Sequence, residues 1–313
     1  MTIEPFNTKN VQLIWGCEPS RQLEQHWLQH LLMPIGLRLI DASVRKLPPL
    51  DLRQPRVLVE SGLLFLERSI TVERVTSLRQ RRSERIQGLA ALGPFLLIHI
   101  SDEEGIDGDQ LYPTLPRGTR VWRNFPYSRF ERDDLCLRSF PIGPRLEFLD
   151  PQPFVPASSR HFPWAFMGTI WRSGQRLLAT SLFLSALPQG LFFGGRHFGQ
   201  GVPLLQYKQG LLDSVFALCP EGDRHFDTFR LFESLQMGCL PMVVERHGQA
   251  RQVLGPHFPL PIFPDWNAAL KFVESTLISP RQLDQFQGQV QAWWQSRKAT
   301  LAAQLHHDLM HPC

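Results

Sequence analysis

VFALCPEGDRHFDTFRLFESLQMGCLPMVVE, residues 215–245, holds two apolar runs separated by one amphipathic segment. Val215 to Cys219 reads as a buried parallel strand, and the polar stretch Pro220 to His225 reads as a loop. A helix is expected to start near Asp227 or Thr228 and to stop at Gly238, with Leu240 to Val244 as the next apolar strand. The loop of this strand–loop–helix–strand unit lies beyond the carboxyl ends of the strands, where open α/β sheets bind ligands. Phe229, Phe232 and Leu235, with Leu231 and Met237, can face the sheet, and Asp227 or Thr228 can cap the first N–H groups.

Arg230 sits in or near the first turn of that helix, where the macrodipole disfavours a cation by roughly 0.3–1 kcal/mol. A phosphate at the helix N-terminus, neutralised by Arg230, makes sense of the placement. Glu233, one turn on, shares the Arg230 face and can accept from two vicinal hydroxyls, as on a ribose. The plainer alternative is an i,i+3 Arg–Glu pair on a solvated helix face. There is no GxGxxG to mark a dinucleotide site.

The run Phe216, Leu218, Cys219, Pro220, Gly222, then Thr228, Arg230, Glu233, Leu235, Gly238, Cys239 and Pro241 resembles the donor-binding signature of exostosin-like glycosyltransferases. Weaker echoes lie upstream in LLIHISDEE (96–104), VWRNFPY (121–127), FPIG (140–143) and WAFMGTIWRSGQR (164–176). Residues 1–90 match only by their pattern of strands and helices. The resemblance implies an α/β fold of the GT-B type, with two Rossmann-like domains facing a cleft and a C-terminal helix that crosses back to the first domain. It implies a donor held mostly by the second domain, at Pro220, Gly222, Asp223, Asp227, Thr228, Arg230 and Glu233. The implied activity is transfer of a sugar, with inversion, from a nucleoside-diphosphate sugar (UDP- or GDP-linked) to a glycan or lipid-linked acceptor. The residues do not specify nucleobase, sugar or acceptor.

At 313 residues, 43% hydrophobic and 20% charged, the chain has room for two α/β domains with real cores, and its 26 prolines imply many rigid loops. The net charge of +4 suits a phosphate-bearing donor or peripheral contact with an anionic membrane surface. It is too small to argue for nucleic acid. Arg79–Arg85 (RQRRSER) is locally basic and reads as a solvated helix face. MTIEPFNTKN has neither a basic n-region nor an apolar core, and no apolar run approaches about 18 residues. The five cysteines are scattered and form no CxxC, which argues against a disulfide framework and for a reducing cytoplasm.

Strands are expected at Val11–Gly16, Leu37–Asp41, Arg56–Glu60, Phe95–Ile100, Thr119–Arg123 and Cys136–Phe140, with helices near 20–33 and 69–91. The second half should place strands at Ala165–Thr169, Gly190–Phe193, Val215–Cys219, Leu240–Val244 and Leu260–Phe263. Its helices fall near 173–186, 203–213, 227–237 and 265–277, and alternation of this kind favours parallel sheets. PRLEFLDPQPFVPASSRHFP (144–163), with five prolines and no periodicity, reads as a linker. The domains expected are 1–150 and 151–279, followed by a final helix over 280–313. That helix begins after Ser279, with Pro280 at its first position and Gln282 three residues after the cap.

An inverting transfer needs a base for the acceptor hydroxyl, and LLIHISDEE offers His99 in the strand with Asp102 and Glu103 beyond it. A solvated acidic loop and a structural histidine are the alternatives. The departing diphosphate needs cationic or amide donors, for which Arg123, Arg172 and Arg176 are candidates. GGRHFGQG (194–201) is a Gly-rich turn that can approach a ligand. His306, His307 and His311 beside Asp308 read as a frayed tail, and no DxD flanked by apolar residues appears in the second domain. Transfer is therefore expected without an obligatory metal or other cofactor. Two rival functions remain: a nucleotide-sugar epimerase of similar two-domain architecture, and a non-catalytic nucleotide- or glycan-binding scaffold.

Overall fold

Eleven short apolar runs become strands in the computed structural model, and all of them pair in parallel. The structure describes residues 11–17, 24–43, 47–62, 71–131, 133, 135–150, 152–170, 174–196, 201–222, 224–245 and 248–311. The chain divides into two compact units, one of Met1–Pro141 with Lys298–Cys313, the other of Ile142–Arg297.

The first unit holds β1 (Val11–Trp15), α1 (Gln25–Leu32), β2 (Leu37–Asp41), β3 (Arg56–Ser61), α2 (Val72–Ala91), β4 (Leu96–Ile100), α3 (Ile106–Leu111), β5 (Arg120–Arg123) and β6 (Cys136–Ser139). Its six strands lie in the order β2-β1-β3-β4-β5-β6. Register sets like with like, Leu13 beside Leu39 and Val57, and Leu97 beside Leu58 and Val121. Strands β1, β3 and β4 are buried along their whole length, as continuous apolar runs in a covered parallel sheet should be. Ile14, Leu58, Leu97, Ile86 and Leu89 belong to its core. Helix α2 starts at the Thr71 hydroxyl, which accepts from Arg74 N at 3.3 Å.

The basic segment of α2 departs from the solvated face expected of it. Arg82 and Arg85 are 4% and 7% exposed. Arg82 pairs with Asp107, and Arg85 donates to both oxygens of Glu60 at 2.7 and 2.8 Å. Asp107 lies 25 residues beyond Arg82, and Glu60 lies 25 residues before Arg85, so neither partner is visible in local charge pattern.

The second unit holds β7 (Phe162–Thr169), α4 (Gly174–Ala186), β8 (Leu191–Gly195), α5 (Leu204–Leu212), β9 (Ser214–Leu218), α6 (Phe229–Gln236), β10 (Leu240–Val244), α7 (Ala250–Leu254), β11 (Ile262–Phe263) and α8 (Trp266–Leu277). Its strand order is β11-β10-β9-β7-β8. Trp164, Phe183, Phe216, Phe232 and Trp266 are fully buried there, with Phe183 edge-on to both Trp164 and Trp266. Helix α9 (Pro280–Met310) opens with the Ser279 hydroxyl accepting from Gln282 N at 3.3 Å. It belongs to the second unit through Arg297 and to the first from Lys298.

Two further expectations change. The Pro-rich stretch read as a linker is bonded into the second unit. Arg160 donates to Leu211 O, Ser214 O and Met237 O at 2.9–3.0 Å, and Gln287 donates to Val155 O and accepts from Ala157 N, both at 2.9 Å. Each proline leaves a carbonyl without a companion N–H; Gln287 donates to one carbonyl of the segment, and Arg160 donates to carbonyls of its neighbours. The C-terminal segment is not frayed at Asp308, which is 2% exposed. Its carboxylate accepts from Trp122 Nε1 at 2.9 Å and pairs with Arg120 and Arg138.

Cys17, Cys219 and Cys239 are free and buried, and burial pushes the last two thiols up to about 12. Cys136 is disulfide-bonded, so the cysteine pattern gives no ground for assigning a reducing compartment. Among the described residues, no helix is long and apolar enough to cross a membrane.

Candidate functional site

Strand order in the second unit reverses direction between β7 and β9, and a parallel sheet opens a crevice at the carboxyl ends of such a pair. Those ends are Thr169 and Leu218. Arg176, in the first turn of α4, spans them: Nη1 donates to Thr169 O (2.9 Å) and Oγ1 (3.0 Å), while Nε donates to Glu221 O (3.0 Å). The loop beyond β9 is drawn tight by Gly222 N donating to His225 O at 2.7 Å and Asp227 N donating to His225 Nδ1 at 3.1 Å. Pro220 is buried in this loop and Gly222 half-buried. Asp227, 2% exposed, accepts from Ile142 N at 3.3 Å.

Arg230 reaches back from α6 to the end of β7. Its guanidinium lies 4.4 Å from the centre of the Phe166 ring, and Nη2 donates to Met167 O at 3.4 Å. Among the described residues, Nε and Nη1 are buried with no hydrogen-bond partner. The Thr228 hydroxyl, at the cap position of α6, is likewise buried and unpartnered, and it makes no cap hydrogen bond. Buried donors of this kind are few in native proteins, and a cation left so is costlier than a neutral group. Gly168 makes the approach of Arg230 feasible, because a Cβ there would lie 2.2 Å from Nη2.

Glu233 does not pair with Arg230. Its Oε1 accepts from Arg145 Nε and its Oε2 accepts from the Tyr207 hydroxyl at 2.8 Å, with Glu233 only 2% exposed. Burial and the adjacent Glu233 charge push the Tyr207 phenol up, while Glu233 holds the Arg145 guanidinium more firmly charged despite its burial. Both carboxylate oxygens thus have protein donors where the sequence suggested ribose hydroxyls.

A cavity of about 170 Å³ adjoins the same loop, lined by Gln175, Glu221, His225, Phe226, Glu245 and Trp266 among others. The Trp266 indole N–H and the Gln175 carbonyl, one a donor and the other an acceptor, are buried and without a partner among the described residues. Arg230 is not part of its lining. Candidates Arg172 and Asp223 lie outside the described residues, as does much of the Gly-rich turn after Arg196.

The other candidates belong to the first unit, at the carboxyl ends of β4 and β5. His99 is fully buried, with Nδ1 2.9 Å from the Tyr112 hydroxyl and Nε2 3.0 Å from Asp107 Oδ2. Asp102, 5% exposed, accepts from Asp107 N (3.1 Å) and Gly108 N (2.9 Å) at the start of α3, and from Arg123 Nη2 (3.3 Å). Arg123 is also fully buried, donating to Asn124 O, Phe125 O, the Tyr112 hydroxyl and Asp102 O, with its plane 4.3 Å from Phe130. Glu103 is half-buried, and its carbonyl accepts from the Tyr127 hydroxyl. Ser101 (φ 57°) and Phe125 (φ 55°) hold left-handed backbone just past these strands, a conformation that costs of order 1–3 kcal/mol and clusters at functional loops.

Burial works to raise the Asp107 carboxyl, but the hydrogen bond and charge of His99, and then Arg82, outweigh it and hold the group well below the usual carboxylate range. Gly168, Arg145, Tyr207, Gln175 and Trp266 were not singled out from sequence. Only Gly168, a glycine ending an apolar strand, carried a local signal of close approach. No protein-family model matches the chain, and no curated protein matches it.

Proposed function

We propose that the second unit binds the diphosphate of a nucleotide sugar and that the protein is a glycosyltransferase of the exostosin-like, GT-B type. The observation that carries this reading is Arg230, whose Nε and Nη1 are buried with no hydrogen-bond partner among the described residues, beside a helix start with no side-chain cap, at the carboxyl ends where strand order reverses. A phosphate supplies the acceptors that Arg230 and Thr228 lack. The 170 Å³ cavity beyond Glu221 suits the nucleobase, since every base offers a hydrogen-bond acceptor for the Trp266 N–H and a donor for the Gln175 carbonyl. Glu233 acts here through Arg145 and Tyr207, holding α6 in place. Of the three candidate bases, Glu103 is the one that is half-buried rather than buried, and we assign it the acceptor's proton. A glycan or lipid-linked glycan is the acceptor class in this reading.

The test is calorimetry of UDP, GDP and their sugars on the full chain, followed by product analysis with glycan acceptors. Binding that Arg230→Ala weakens, with acceptor-dependent loss of the sugar nucleotide, supports a transferase. No binding of any nucleoside diphosphate removes the proposal. A second reading, a nucleotide-binding scaffold, is favoured by the hydrogen-bond saturation of Asp102 and His99. Binding without turnover selects it.

A further inference from the structure

At the amino edge of the first sheet, away from the strand ends that carry the acidic loop, lies a cavity of about 250 Å³. Pro55 and Arg56 at the start of β3, the α2–β4 turn, Pro116 to Arg120 ahead of β5, and Asp308 of α9 form its wall. Arg56, Arg117 and Arg120 line it against the one carboxylate of Asp308, which is already committed to Arg120, Arg138 and Trp122. Arg56 is 4% exposed. Its Nη2 donates to Leu92 O and Pro94 O, both at 3.1 Å, while Nε and Nη1 are buried with no hydrogen-bond partner among the described residues. Burial moves its pKa down. Gly93, at φ 112°, lets the turn close on this guanidinium, since a Cβ there would lie 3.2 Å from Nη2.

We propose that this cavity binds a phosphate group, either inorganic phosphate or the phosphomonoester of a small metabolite. The lining carries an excess of positive charge that a dianion matches, and the free edge of Arg56, Nε with Nη1, has the fork geometry that phosphate oxygens accept. Exposed Arg117 closes over the anion from the turn that Gly118 (φ 79°) shapes. The volume lies below the roughly 300 Å³ at which drug-sized ligands begin to fit, so a whole nucleotide is excluded. A bound phosphate ties β3 to the turns before β4 and β5, and so stabilises the first unit. The site shares no residue with the proposed donor site and stands whether or not that reading holds.

The experiment is thermal unfolding and calorimetry of the full chain with inorganic phosphate, with glycerol 3-phosphate, and with sodium chloride at matched ionic strength. Phosphate should raise the Tm where chloride does not. Arg117→Ala, an exposed position that leaves the fold intact, should weaken phosphate binding about tenfold, and Arg56→Gln at least as much. Arg230→Ala should leave it unchanged. The tighter of the two phosphates identifies the source of the group. Equal stabilisation by chloride, undiminished binding in Arg117→Ala, or binding abolished by Arg230→Ala would each overturn the proposal.

Discussion

Gly168 and Arg230 compete for one volume: a Cβ on Gly168 would lie 2.2 Å from Nη2 of Arg230. The atom that must yield is the end of a flexible side chain, so Gly168→Ala displaces the guanidinium rather than the strand. Nucleoside-diphosphate affinity is expected to fall about tenfold. The Tm should change little. Calorimetry beside a melting curve separates the two, and unchanged affinity would mean that Arg230 does not touch the ligand.

Arg230→Ala removes a guanidinium whose Nε and Nη1 are buried without a partner among the described residues, along with its contact over Phe166. The first loss relieves desolvation and the second costs about 0.5–1 kcal/mol, so net stability should stay within about 1 kcal/mol of the parent. Affinity for a nucleoside diphosphate should fall by about 1.5–3 kcal/mol, tenfold or more. A large loss of stability in urea unfolding would instead make Arg230 structural.

Glu233→Gln keeps the shape of the side chain but removes the charge that Arg145 and Tyr207 share. Arg145 is about a third exposed at 32%, so solvent screens part of the loss, and the expected destabilisation is about 1–3 kcal/mol. Nucleotide affinity, measured where the variant is folded, should be affected less than in Arg230→Ala. The reverse ranking would restore the ribose role to Glu233.

Acid should unfold the first unit through Asp107. Its folded pKa is depressed, so its contribution is fully present above the ordinary carboxylate value near 4. That stability drains away as pH falls below about 4 toward the lower folded value. Urea unfolding between neutral pH and pH 3 should show this slope, and Asp107→Asn should flatten it while lowering stability at pH 7. A parallel acid limb in the variant would assign the slope to other carboxylates, Asp308 first, since its pKa is also lowered.

Asp308→Ala should release the end of α9. It removes the ion pair to Arg120, whose side chain is 14% exposed, and the acceptor of the Trp122 indole N–H. The expected cost is roughly 3 kcal/mol. Hydrogen exchange over residues 298–310 should quicken more than over 280–297, and equal protection in parent and variant would show that the apolar residues alone hold this end.

All eleven strands stand where strands were expected; for β1, β3, β4, β9 and β10 the reason is that a strand covered on both faces must be apolar along its length, a local property of the chain. The capped helix starts at Thr71, Asp265 and Ser279 are local too: a side-chain oxygen meets an N–H three residues on. The short helices α3 and α7, of six and five residues, escaped because neither spans enough turns to show a period. Arg230 was legible too, as a cation placed against the dipole of its own helix.

Strand order and side-chain partnership were settled only in three dimensions. The reversal between β7 and β9, which locates the crevice, depends on which strands pair, and residues 162–165 meet 214–217 across an intervening helix, strand and helix. Glu233 took Arg145, 88 residues away, over Arg230 three residues away. Arg85 took Glu60, and Asp308 took Arg120 from a distance of 188 residues. A charged side chain can be buried only where the fold brings its counterion, and the pattern of nearby residues holds no record of a partner supplied by a distant turn.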